Sequence, residues 1–281
     1  MPHAIETPFI VQAPRDIAAW MNCLQGLEIP VLASTVTAIA ELGANEDAVD
    51  AHLLSETLSG DPLMVLKLLR HVAARRSARA TADAETVTAS LLMLGIPPFF
   101  HAFGDQASVE DRLAAVPDAL AGWHALLQRS HRAARFALGF AVHRLDHDAA
   151  VIHEAALLHD FAEMLVWVHA PALALEITKR QRADASLRSL DVQQAVLHLS
   201  LSDLQQMLMK TWRLPELLVK ISDDHASVSP QVRNVQLAIR LARHTAHGWD
   251  NAALPDDIDE IAALLNMGRE PTLALLHEID S

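Results

Sequence analysis

The chain has 281 residues, a formal net charge of −13 and a hydrophobic fraction of 51%. That length allows one large domain or two smaller ones with a sizeable core, while the acidic balance excludes non-specific nucleic-acid binding, which needs a positive footprint. A single cysteine, Cys23, excludes an intramolecular disulfide and points to a reducing compartment.

Ala and Leu dominate over Val, Ile and the aromatics, and such residues lose little on entering a helix. The opening MPHAIETPFIVQAP has no basic region followed by an apolar run, so no secretory leader is expected and the protein is placed in the cytoplasm. In WMNCLQG, Cys23 reads as an inert, partly buried thiol. Ile39, Leu42 and Gly43 close one helix. Asp61-Pro62 opens another, with Asp as N-cap and Pro at the first helical position. Leu63, Leu66, Leu69 and Val72 follow helical spacing along it. Arg75-Arg76 with Arg79 reads as a solvated basic loop.

Turn residues gather between Gly104 and Gly122, and there the chain is divided into residues 1–110 and 111–281, two helical subdomains that pack together. Further Pro-marked helix starts fall at Pro215, Pro230 and Pro255, with Ser229 as a cap. The greasiest stretch, MLVWVHAPALALEI, is interrupted by His169 and Pro171 and is too short to span a bilayer. No stretch alternates as a strand would. The reading is an all-α, multi-helical protein of a dozen or more helices, with no membrane or nucleic-acid partner.

Scattered glycines exclude a phosphate loop and a dinucleotide fingerprint, and one cysteine excludes a Cys-rich zinc site. Sixteen histidines remain, of which His3, His52 and His169 read as surface or lightly buried. The set with chemical interest is His131, His159, Asp160 and His225. Imidazole plus carboxylate suits a divalent first-row metal, and three protein ligands suffice when water fills the remaining positions. The competing reading makes His159 a core histidine bonded to a backbone carbonyl, with Asp160 as its partner. From spacing alone the structural reading is the stronger.

Three stretches bear on that balance. They are EIPVLASTVTAIAEL with LLSETLSGDPLMVLKLLR and VTASLLMLG; SHRAARFALGFA with AALLHD; and TWRLPELLVKISDDH. In this order they resemble the HDOD family, the HD-related output domain of bacterial signalling proteins, from about Ile29 to about His247. Asp61-Pro62-Leu63, the Lys67 to Arg70 run, Leu94-Gly95 and Trp212-Arg213-Leu214-Pro215 are the most specific pieces. The resemblance implies an N-terminal helical bundle packed on a helical core related to HD phosphohydrolases, and a role in signal transduction. It aligns His131 and the His159-Asp160 pair with metal ligands of the HD superfamily.

Departures accompany it. The later aspartate, expected where this chain reads Ala238-Ile239, is missing, and a second-metal histidine falls on Leu201. Paired histidines are reduced to His225-Ala226, the Gly-Tyr-Pro signature is absent, and Ala73-Ala74 replaces the usual Asn-Ser. A single weakly held ion (Fe, Mn or Zn) at a vestigial His131–His159–Asp160 site is then the most metal chemistry left. The expected function is a stand-alone, non-enzymatic signalling module that binds a protein partner, or a small ligand in the cleft between its subdomains. The alternatives are an adaptor without a ligand pocket and an HD-type phosphohydrolase of nucleotides or cyclic dinucleotides. The latter would need Asp223, Asp224 or His225 in place of the missing ligand.

Overall fold

The computed structural model describes residues 7–75, 84–184, 186–223 and 229–281. His3, Arg76, Arg79, Asp224 and His225 lie outside the described residues.

Among the described residues there is no sheet, and the chain forms seventeen α-helices. The first seven are α1 (Ile17–Leu24), α2 (Ala33–Gly43), α3 (Ala51–Leu58), α4 (Pro62–Arg75), α5 (Val87–Leu94), α6 (Ile96–Phe103) and α7 (Val109–Leu113). Then come α8 (Pro117–His143), α9 (Ala149–Leu158), α10 (Phe161–His169), α11 (Pro171–Ala183) and α12 (Ser189–Leu197). The last five are α13 (Leu201–Thr211), α14 (Glu216–Ile221), α15 (Pro230–His244), α16 (Leu254–Leu265) and α17 (Arg269–Asp280). The all-α reading holds. No single described helix is long and apolar enough to cross a membrane.

Two compact units make up the chain, and neither is one continuous piece. Unit 1 takes Met1–Ala125 and Asp160–Pro215, and unit 2 takes Leu126–His159 and Glu216–Ser281. A single cut after residue 110 is a division along the sequence. The chain instead leaves unit 1 within α8, returns between His159 and Asp160, and leaves again after Pro215.

In unit 1 the apolar stripe expected on α4 is only part of what is buried. Besides Leu63, Leu66, Leu69 and Val72, the helix buries Pro62, Met64, Val65 and Leu68, and Lys67, Arg70, His71 and the last turn from Ala73 to Arg75 escape full burial. Asp61 sets the start of this helix. Its carboxylate accepts from the Leu63 and Met64 N–H groups, both at 3.0 Å, which satisfies two donors that a helix start leaves open. The other oxygen accepts from the Leu32 N–H at 2.7 Å, at the start of α2, so one buried side chain fixes two helix starts. Gly95 closes α5 and opens α6 at φ +86°, a conformation that a side chain would strain. An isolated parallel bridge joins Val31 to Ser108, with Val109 N–H donating to the Val31 carbonyl at 2.8 Å. The indole Nε1 of Trp20 donates to the Leu197 carbonyl at 2.9 Å, joining α1 to the end of α12.

Two expectations in this unit are corrected. His169 is not at the surface: it is 1% exposed, at the end of the apolar α10, where the backbone satisfies the chain around it. Its carbonyl accepts from the Ile10 N–H at 2.7 Å. Cys23 is exposed, because α1 turns Trp20, Met21 and Leu24 inward and leaves the Cys23 face outward. His52 is exposed as expected.

Unit 2 is built on the C-terminal part of α8 with α9 and α14 to α17. Phe136, Phe140, Ile152, Leu158, Leu241 and Ile261 are fully buried in it. The buried Asn234 Nδ2 on α15 donates to the Ala137 carbonyl on α8 at 3.1 Å. Ser229 caps α15 by accepting from Val232 N–H at 3.3 Å, as its sequence position suggested.

Candidate functional site

The residues singled out as metal ligands sit at helix ends and in helix interiors. His131 lies in the middle of α8, half-buried, and His159 is the buried residue that ends α9. Both belong to unit 2, whereas Asp160, which opens α10, belongs to unit 1. The Asp160 carbonyl accepts from Met164 N–H at 3.0 Å, and His159 N–H donates weakly to the Ala156 carbonyl at 3.4 Å.

Within unit 2 the structure brings His131 close to a residue that sequence reasoning passed over, His153 on α9. Burial pushes the His153 imidazole below its ordinary range, and the neighbouring His131 adds to the shift. Two imidazoles side by side resist holding two protons. Position 239 on α15, which packs against α9, carries a side chain that is 4% exposed and entirely apolar. Ile239 supplies neither charge nor lone pair. Leu201, at the start of α13, is likewise buried and apolar.

Among the described residues, no group of three or more His, Cys, Asp or Glu side chains is placed to hold a metal ion.

The sequence pieces that looked most specific turn out to organise unit 1. Asp61 caps α4 and ties down α2, and Gly95 makes the α5–α6 corner. Arg70 and Trp212, 142 positions apart, meet face to face: the guanidinium lies 4.8 Å from the centre of the indole. Its Nη2 also donates to the Gln25 carbonyl at 2.8 Å. Phe161 also packs on Trp212, with the two ring centres 5.9 Å apart.

These features coincide with a known family model. The HDOD domain model matches residues 29–228. This chain belongs to the HDOD family. The match covers the Asp61-Pro62 start, the Lys67 to Arg70 run and the Trp212 segment alike. Among solved structures, the HDOD chain is similar to the MmoQ response regulator of Methylococcus capsulatus. They share 20% identity and a TM-score of 0.64, over 89% of this chain and 98% of that one. It is also similar to a virulence factor from Campylobacter jejuni, at 14% identity and a TM-score of 0.63, over 89% of each chain. At these identities the likeness is one of fold. No curated protein matches the chain.

Proposed function

We propose that this HDOD chain is a non-enzymatic signal-transduction module that works by binding a protein partner or a small ligand. Membership of the HDOD family supports the signalling role, as does a fold shared with a protein described as a response regulator. The observation that carries the non-enzymatic part is Ile239, a buried apolar side chain on α15 where an HD-type hydrolase requires a carboxylate. A hydrolytic metal site needs that negative charge to hold its ion and to orient the attacking water. On this reading His131, His159 and Asp160 are the vestige of an ancestral site. A cytoplasmic setting goes with it, supported by the lone cysteine, and the net charge of −13 argues for a partner other than nucleic acid.

The test is hydrolysis by the full chain of bis(p-nitrophenyl) phosphate, nucleotides and cyclic dinucleotides, each with manganese, iron or zinc. No turnover above the metal-only control is expected. Turnover that disappears in His159→Ala would overturn the proposal.

A further inference from the structure

The outer face of α8 runs out in large apolar side chains that lie open to solvent. Leu138 is 38% exposed, Val142 60% and Leu145 84%. Positions 138 and 142 are one turn apart on the helix, and Leu145 follows in its cap. Between them Ala137, Phe140 and Ala141 turn inward and are fully buried, so the core takes one face of α8 and leaves this one bare.

Leu145 opposes the stability of a lone molecule in two ways. Its backbone is left-handed, at φ +58°. Asp146 N–H donates to the Ala141 carbonyl at 2.9 Å and Leu145 N–H to the Val142 carbonyl at 3.1 Å. In a helix ending of this pattern the left-handed position is ordinarily Gly or Asn, which adopt it with little strain. Leucine there strains the backbone and also keeps apolar surface in water. The ending is held firmly, since Arg144 donates to Asp146 Oδ2 at 3.1 Å and to the Leu264 carbonyl at 2.8 Å. A strained residue that the surrounding bonds hold outward points to a role in contact with another surface.

We infer that this stripe is a contact between two copies of the chain, with α8 packed antiparallel on its counterpart. The flanking charges select a second copy. Arg135, one turn before Leu138, is exposed and comes no nearer than 3.7 Å to Asp280, whose two oxygens Arg132 already holds at 2.8 and 2.7 Å. At the other end, just past α8, Asp148 stands at the N-cap of α9 but its side chain makes no capping bond. A two-fold axis passing between positions 141 and 142 sets Leu138 against Leu145 of the second copy and Arg135 against Asp148 of the second copy. The apolar run and the charges thus match under one operation, as a two-fold contact between identical surfaces requires. A parallel pairing would set like charge on like. A contact of this extent falls below the standard interface size, so a weak dimer is expected, with a Kd of roughly tens of micromolar.

The inference goes beyond the signalling role proposed above and is independent of it, because self-association reports on α8 while hydrolysis reports on His159. Sedimentation equilibrium of the full chain from about 1 to 200 μM brackets that Kd. A reducing agent is present, because Cys23 is exposed and could cross-link copies. The variants are Leu145→Gly, Val142→Ser, Arg135→Glu, and Arg135→Glu combined with Asp148→Arg. Glycine suits the left-handed position, so Leu145→Gly is expected to melt no lower than the parent and separates lost contact from lost folding.

The parent is expected to dimerise, and Leu145→Gly, Val142→Ser and Arg135→Glu each to weaken the dimer about tenfold or more. The combined charge exchange is expected to recover most of what Arg135→Glu loses. A parent that stays monomeric over the whole range would overturn the inference. So would a dimer unchanged in Leu145→Gly and Val142→Ser, which would place the contact elsewhere on the molecule. A folded charge-exchange variant that associates no better than Arg135→Glu would overturn the antiparallel register.

Discussion

Arg132 on α8 grips Asp280 at the end of α17 with both edges of its guanidinium, Nε to one carboxylate oxygen at 2.8 Å and Nη2 to the other at 2.7 Å. The same guanidinium donates to the Thr245 carbonyl at 3.0 Å, and Trp249 Nε1 donates to Asp280 at 3.1 Å. Burial alone would raise the Asp280 carboxyl, but the Arg132 bonds outweigh it and hold it below the ordinary carboxylate range. A lowered carboxyl pKa stabilises the fold above the unfolded value, and that contribution is lost as pH falls through the folded value. Arg132→Ala is expected to cost about 2 kcal/mol at pH 7, because two charge-assisted bonds are lost while Arg135, at 3.7 Å, and the Trp249 indole still face the carboxylate. Urea unfolding at pH 7 and pH 3 would check this, and the gap between parent and variant should narrow at the lower pH.

His169 adds a second loss of stability on the acid side. Burial, with the Arg112 guanidinium adding to it and the Glu28 backbone opposing, pushes its imidazole down to about 4 from the ordinary 6.5. Between those values the unfolded chain binds a proton that the folded chain refuses, so its contribution is intact above 6.5 and is lost as pH falls towards 4. The parent should lose roughly 2 kcal/mol more than His169→Leu between pH 7 and pH 4.5. Equal losses in denaturant titrations of the two proteins would contradict this.

Asp61→Ala removes the cap of α4 and the acceptor for Leu32 N–H together. A lost cap costs about 1 kcal/mol and a buried donor without a partner about 1–3 more. The expected loss is therefore about 3 kcal/mol, with Asp61→Asn falling in between, as read from chemical denaturation midpoints.

The glycines of α8 offer a comparison within one helix. A methyl at Gly122 would drive into the six-membered ring of the buried Trp167, whereas at Gly139 it would meet the terminal Cδ1 of Ile279. A flexible chain end can rotate away, but a packed indole cannot. Gly122→Ala should cost about 2–3 kcal/mol, while Gly139→Ala should be near neutral because the gain in helix propensity offsets a small shift. Melting temperatures of the two variants would rank them.

How much of this was written in the sequence depends on the range of each interaction. Asp61-Pro62 announced a helix start because capping is local, but the bond from Leu32 to the same carboxylate spans 29 positions and carries no local mark. Ser229 before Pro230 was legible for the same reason. The exposure of Cys23 was available from spacing, since Trp20, Met21 and Leu24 define one face of α1 and leave residue 23 off it. His169 was misread because histidine is usually solvated, although it lies within an apolar run from Phe161 to Ala170. Arg70 looked like one member of a motif, and only the fold shows that it rests on Trp212. The pairing of His131 with His153 was hidden in the same way, since it joins two helices that the sequence does not align.

The Trp20 to Leu197 bond has a consequence for how the protein is made. The two residues lie 177 positions apart, and they belong to the same unit. As the chain leaves the ribosome, α1 emerges long before its partner exists, and the whole of residues 126–159 must be synthesised in between. Closing so long a loop is entropically slow, and apolar surface stays uncovered until it closes. A fragment ending at residue 125 would therefore hold Trp20 without a partner for its indole and would be a poor substitute for the native unit. Insertions and cuts are therefore worst placed at any of the three crossings between units.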